Sequence, residues 1–125
     1  MLTENSTFES FLEAAKDKRV VGFGASNNVA EIVEALSEYN ITLDYIVDNN
    51  FWKWNSECCG IKVCSPAKLK EEKAGTVITL ICSNYIFEIE KQLNSLVIGD
   101  YFAYGLWIDL IFKHSNRGVR INLRS

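Results

Sequence analysis

The chain has 125 residues, 48% of them hydrophobic and 23% charged, which is the composition of one globular domain and argues against disorder. A formal net charge of −3 supplies no electrostatic reason to expect nucleic acid as a partner. No apolar run approaches the roughly 20 residues that span a bilayer, and Met1–Ser10 lacks the basic start and apolar block of a signal peptide, so a cytoplasmic protein is expected.

Residues 6–17 are predicted as a first helix. Phe8, Phe11, Leu12 and Ala15 recur at helical spacing, and Ser6 with Glu9 has the form of a capping box. Lying before the first strand, this helix is an extra element for packing or oligomerisation. Arg19–Phe23 reads as a strand whose nearly continuous apolar character suits a central parallel position. The turn Gly22–Ser26 follows, then a helix over 28–38 with Val29, Ile32, Val33 and Leu36 on one face and Asn40 as its stop. Leu43–Val47 is a second strand, ending at Asp48. Together these pieces form a β-α-β unit, which is parallel and right-handed.

An aromatic loop from Asn49 to Gly60 carries Phe51, Trp52, Trp54, Cys58 and Cys59. A short third strand covers Gly60–Cys64. Ser65 and Pro66 then open a helix to about Lys73, and Gly75 ends that segment. Thr76–Cys82 is the strongest strand signal, rich in β-branched residues. A helix over 85–96 follows with Ile86, Ile89, Leu93 and Leu96, and Tyr101–Tyr104 is a fifth strand. Gly105 breaks it, and Leu106–Phe112 suits a last amphipathic turn or two. The basic tail 113–125, with Lys113, His114, Arg117, Arg120 and Arg124, reads as a solvated end or subunit contact, with ligand binding as the alternative.

The alternation of strands and helices predicts the α/β class. The expected architecture is a single Rossmann-like three-layer domain, an open parallel sheet of about five strands ordered 3-2-1-4-5, with its core over 18–104 and the extra N-terminal helix. Ligands of such sheets bind beyond the carboxyl ends of the strands, where strand order reverses. Three segments meet there: the turn after the first strand, the end of the second, and the end of the fourth. The candidate ligand-binding residues are therefore Gly22, Gly24, Ala25, Ser26, Asn27 and Asn28, then Asp48 and Asn49, then Ser83, Asn84 and Tyr85.

Each has a plainer alternative. Gly22 and Gly24 match the first two glycines of a dinucleotide turn, but Asn27 stands at the third position. The turn either holds a phosphate or pyrophosphate, aided by the side chains of Ser26, Asn27 or Asn28, or is a tight turn needed by the fold alone. Asp48 accepts from a ribose hydroxyl, or forms a polar turn with Asn49 and Asn50. Trp52 and Trp54 stack on a base, or cover a hydrophobic edge or dimer contact. Ser83 and Asn84 touch a ligand or simply cap the next helix.

Cys58, Cys59, Cys64 and Cys82 read as free thiols; the first three lack the two-residue spacer of a metal site, and Cys82 suits a small core position. Catalysis has little support. His114 is the single histidine and lies in the tail, so no Ser/His/Asp set is at hand, and Ile89 stands four residues after Tyr85 where a Tyr-x-x-x-Lys pair would need lysine. No catalytic residue and no metal ligand is assigned.

Several stretches together resemble a known family: Val21-Gly22-Phe23-Gly24, Tyr45-Ile46-Val47-Asp48-Asn49-Asn50, Trp54, Gly60-Ile61-Lys62-Val63-Cys64-Ser65-Pro66 with Leu69, and Ile81-Cys82-Ser83-Asn84-Tyr85 with Glu88-Ile89 and Gln92-Leu93. Over roughly residues 18–104 the chain is similar to a small Rossmann-like domain of bacterial sugar and polysaccharide biosynthesis, found on capsular glycosyltransferases, at the C-terminus of deoxysugar C-methyltransferases, and at the start of sugar acetyltransferases. The resemblance implies a nucleotide or nucleotide-sugar ligand, with phosphates at Gly24–Ser26 and the ribose or base near Asp48 and Asn49. Without a transferase domain, such a copy is expected to bind a partner enzyme. The leading expectation is thus an accessory nucleotide-sugar-binding module with no catalysis of its own. One alternative is an NAD(P)-binding oxidoreductase-type domain completed by a homo-oligomer or partner. The other is a protein-interaction domain with a vestigial pocket.

Overall fold

The computed structural model describes residues 7–107. Its centre is β1 (Arg19–Phe23), buried at every position after Arg19. It pairs in parallel with β2 (Leu43–Val47) on one side and β5 (Val77–Ile81) on the other. Continuous apolar character is what a strand covered on both faces requires. Outside β2 lies β4 (Ile61–Cys64), and outside β5 lies β6 (Tyr101–Ala103), both parallel to their neighbours.

The class is α/β, but the sheet is mixed and has six strands, in the order β3-β4-β2-β1-β5-β6. This corrects the expectation of about five strands, all parallel. The added strand, β3 (Glu57–Cys58), folds back antiparallel on β4. The turn between them is Cys59–Gly60, with φ of 55° and 79°. Two successive positive φ values are those of the hairpin turn whose twist matches the strands. A two-residue strand has no alternation to read, so the loop composition concealed it.

The two faces of the sheet carry separate cores. Val20, Leu43, Ile46, Ile78 and Leu80 pack with α1 (Phe8–Ala14) and α2 (Val29–Ser37). Val21, Phe23, Tyr45, Val47 and Ile81 pack with α3 (Ile86–Ser95) and Leu69. Successive β1 residues thus point to opposite layers, as strand geometry dictates. α1 is held by aromatic contacts: Phe8 and Phe11 lie 5.4 and 5.2 Å from Trp107, centroid to centroid. Its cap is Thr7, whose Oγ1 accepts from the Ser10 amide at 3.0 Å; Ser6, the expected cap, lies outside the described residues.

Residues 66–71 form a 3-10 segment where an α-helix was expected. Ser65 does cap it, accepting from the Ala67 amide at 3.1 Å, and Pro66 opens it. Only Leu69 in it is buried, so there is no apolar stripe to favour a longer helix. Tyr104–Leu106 forms a 3-10 turn; most of the turn or two expected over 106–112, like the basic tail, lies outside the described residues.

Two positions carry local cost. Asn40 and Val97, following α2 and α3, both adopt left-handed backbone, with φ of 61° and 60°. Asparagine tolerates this, whereas a β-branched residue is strained by about 1–2 kcal/mol. Val97 is 91% exposed, so it recovers nothing by burial. Thr79, in mid-β5, is fully buried, and its Oγ1 has no hydrogen-bond partner among the described residues.

Val97→Gly is expected to raise stability by about 0.5–1 kcal/mol, the released strain less the added chain entropy. Thr79→Val, which keeps the shape and removes the orphaned hydroxyl, is expected to stabilise by about 1 kcal/mol. Chemical denaturation of the two variants measures both, and a loss of stability in either contradicts its assignment.

Candidate functional site

The turn after β1 is shaped by its contact with the turn after β5. Gly24 has φ of 111°, and a Cβ placed there would stand 2.8 Å from Ser83 Cβ and 3.1 Å from Ser83 N. Both the conformation and the close approach require glycine. The parallel pairing continues past the strands on both sides: the Gly24 amide donates to Val47 O at 2.8 Å, and the Cys82 amide donates to Phe23 O at 2.9 Å. Side chains then lace the two turns. Ser26 Oγ donates to Cys82 O at 2.9 Å and accepts from the Asn28 amide at 3.2 Å, while Asn28 Nδ2 donates to Asn84 Oδ1 at 3.2 Å.

The loop after β2 grips the same turn from the other side. Asp48 Oδ2 accepts from the Ala25 amide at 2.7 Å, and Lys53 Nζ donates to Ala25 O at 2.9 Å. One peptide residue is thus held through both its backbone groups. The other Asp48 oxygen accepts from the Asn50 amide at 2.8 Å, the local turn that aspartate forms readily. Trp54 donates its indole N–H to Asp48 O at 2.6 Å and packs against the core. Asn49 and Gln92 exchange two amide hydrogen bonds, at 2.8 and 2.9 Å, tying the end of β2 to α3.

Between these elements lies a crevice of about 390 Å³, beyond the carboxyl ends of β1, β2 and β5. Of the residues singled out in the sequence, Gly24, Ala25, Ser26, Asp48, Asn49, Ser83 and Tyr85 line it. The other four do not. Gly22 is buried in β1, where a Cβ would meet Leu43 Cδ1 at 3.2 Å and Ile46 Cγ1 at 3.3 Å, so its role is packing. Asn28 and Asn84 bond to each other, and Asn27 is exposed outside the lining. Trp54 serves the loop and the core, and Trp52 is 81% exposed outside the lining.

Phe23, Lys53, Glu88 and Ile89 also line the crevice and had not been singled out as site residues. Glu88 and Ile89 follow Tyr85 by three and four residues at the start of the helix expected over 85–96, so closeness in sequence keeps them near Tyr85. Lys53 carries no such signal; its position depends on how the irregular loop folds.

The Ser26 and Asn27 amides enter no hydrogen bond among the described residues, and amides at the start of a helix such as α2 suit an anion; the Lys53 ammonium, which donates to Ala25 O, lines the crevice as well. Glu88 provides a carboxylate and Tyr85 an aromatic ring that is 69% exposed. Among the described residues, the lining contains no histidine and no cysteine. Cys82, just behind it, is a buried thiol whose pKa burial pushes up to about 12. Burial and the neighbouring Cys59 likewise raise Cys58. No group of three candidate metal ligands occurs among the described residues.

Fold and site together define an α/β domain with a ligand-sized crevice at the carboxyl ends of its parallel strands. The chain belongs to the C2185-like family: the model described as C2185-like, N-terminal, matches residues 16–101. No curated protein and no solved structure matches the chain. No helix among the described residues is long and apolar enough to cross a membrane.

Asp48→Ala frees the Ala25 and Asn50 amides and is expected to cost about 1–3 kcal/mol. Asp48→Asn, which keeps one acceptor oxygen, is expected to cost less. Hydrogen exchange read at the Ala25 amide should accelerate most in the alanine variant; unchanged protection there would show that Asp48 does not hold the turn.

Proposed function

We propose that the crevice binds a nucleotide or nucleotide-sugar, and that the protein is an accessory binding module, without catalysis of its own, for a partner enzyme of bacterial cell-surface sugar biosynthesis acting in the cytoplasm. The observation that carries this reading is the crevice itself. It stands where the chain leaves β1 toward β2 on one side and β5 on the other, the place where open α/β sheets take ligands. The five parallel strands, in the order β4-β2-β1-β5-β6, favour a Rossmann-like description of the domain. Unpaired backbone amides and Lys53 suit a phosphate. The volume, about 390 Å³, is toward the small end of ligand pockets, about 300–1,000 Å³. That favours one nucleoside phosphate over a whole dinucleotide such as NAD(P).

One observation supports a second reading. Trp52 and Phe87 are each 81% exposed, and large exposed apolar side chains often serve protein contacts. In this reading the domain docks another protein and the crevice is vestigial.

Isotope-labelled protein titrated with UDP-, CDP- and GDP-sugars, NAD, NADP and coenzyme A separates the readings. Nucleotide-sugar binding should shift the Ser26 and Asn27 amides and titrate to saturation. If no ligand moves those amides at millimolar concentration, the binding reading fails and the docking reading stands.

A further inference from the structure

We propose, building on the nucleotide reading above, that the first turn of α3 reads the nucleoside: Glu88 accepts the two ribose hydroxyls, Tyr85 stacks on the base, and Asp48 is a positioning residue rather than the ribose acceptor.

A ribose cis-diol presents two O–H donors side by side, and a carboxylate with both oxygens available receives both. Asp48 does not have them available. Each of its oxygens already accepts a backbone amide, from Ala25 at 2.7 Å and from Asn50 at 2.8 Å. Turning it toward a diol would release the peptide that shapes the turn. Glu88 lines the same crevice from the opposite wall, is exposed, and enters no hydrogen bond or ion pair among the described residues.

Tyr85 stands immediately before α3 and Glu88 lies in its first turn, and both line the crevice. The Tyr85 ring is 69% exposed. A base laid on it would cover that apolar surface, a contact that every base can make. Neither tryptophan competes for this role. Trp54 donates to Asp48 O and packs into the core, and Trp52 lies outside the lining.

Lys53 fixes the other end. Its ammonium donates to Ala25 O on the β1–α2 turn and lines the crevice with Ser26, at the start of the helix where phosphates belong. The ligand therefore runs from that turn toward α3, over the end of β5, and not across the end of β2. Such a site distinguishes ribose from deoxyribose and is tolerant of the base.

The test compares UDP, ADP, their 2′-deoxy forms and inorganic pyrophosphate, titrated into wild type, Glu88→Gln, Tyr85→Ala and Asp48→Asn, with folding of each variant checked by amide dispersion. Wild type should prefer the ribonucleotides by about tenfold, the usual size of a lost hydrogen bond to a charged acceptor. Glu88→Gln should erase that preference, and Tyr85→Ala should weaken UDP and ADP about tenfold or more, both without changing pyrophosphate binding. Asp48→Asn should retain the ribose preference. If the preference survives in Glu88→Gln or disappears in Asp48→Asn, the ribose lies at β2 and the inference is overturned while the nucleotide reading stands. If neither nucleotide nor pyrophosphate shifts a crevice amide in wild type, the nucleotide reading fails and the inference with it.

Discussion

The bond from the Ala25 amide to the Asp48 carboxylate organises the ligand-facing end of the sheet. Glycine at position 24 lets the chain leave β1 with φ of 111°, but such freedom by itself leaves the turn loose. Asp48 and Lys53 remove that looseness by holding both backbone groups of Ala25. Hydrogen bonds to ionised groups are the stronger kind, and each of these is charge-assisted. The turn therefore has its shape before any ligand arrives. The amides of Ser26 and Asn27, one and two residues on, enter no hydrogen bond among the described residues.

The same arrangement explains why the loop after β2 is so aromatic. Trp52 and Trp54 stand where a nucleotide-binding reading suggests stacking. Trp54 instead anchors the loop through Asp48 O and the core. Phe51 packs on Trp52, with ring centroids 4.8 Å apart. The loop then closes into the β3–β4 hairpin, which covers the outer edge of β4. It builds the frame that holds Lys53 and Asp48 in place, and an edge strand left bare would invite unwanted pairing.

Opposite that frame, α3 and the turn before it form the second wall. Ser83 approaches Gly24 so closely that no side chain fits between them. The Asn49–Gln92 pair spans the two walls below the opening. The crevice is thus a gap between two loops tied at several points, by the close Gly24–Ser83 approach and by side-chain bonds across it.

The elements that bury an apolar face were readable from the sequence. β1, β2 and β5 fall within a residue of their expected bounds, and α2 and α3 differ only at their ends, because continuous or helically spaced apolar residues leave few alternatives. The convergence of Gly24, Asp48 and Ser83 at one sheet end follows from the alternation of these elements and is also what the structure shows. Tertiary structure alone decided the rest. β3 is too short to carry a pattern, and although Ser65 and Pro66 announce the helix at 66–71, its single buried anchor leaves its length and 3-10 form unreadable locally. No periodicity places Lys53 against Ala25, and no motif says whether Asp48 faces a ligand or its own chain. Those choices depend on which hydrogen-bonding groups from distant segments meet once the sheet has formed, and that information lies in three-dimensional proximity rather than in residue order.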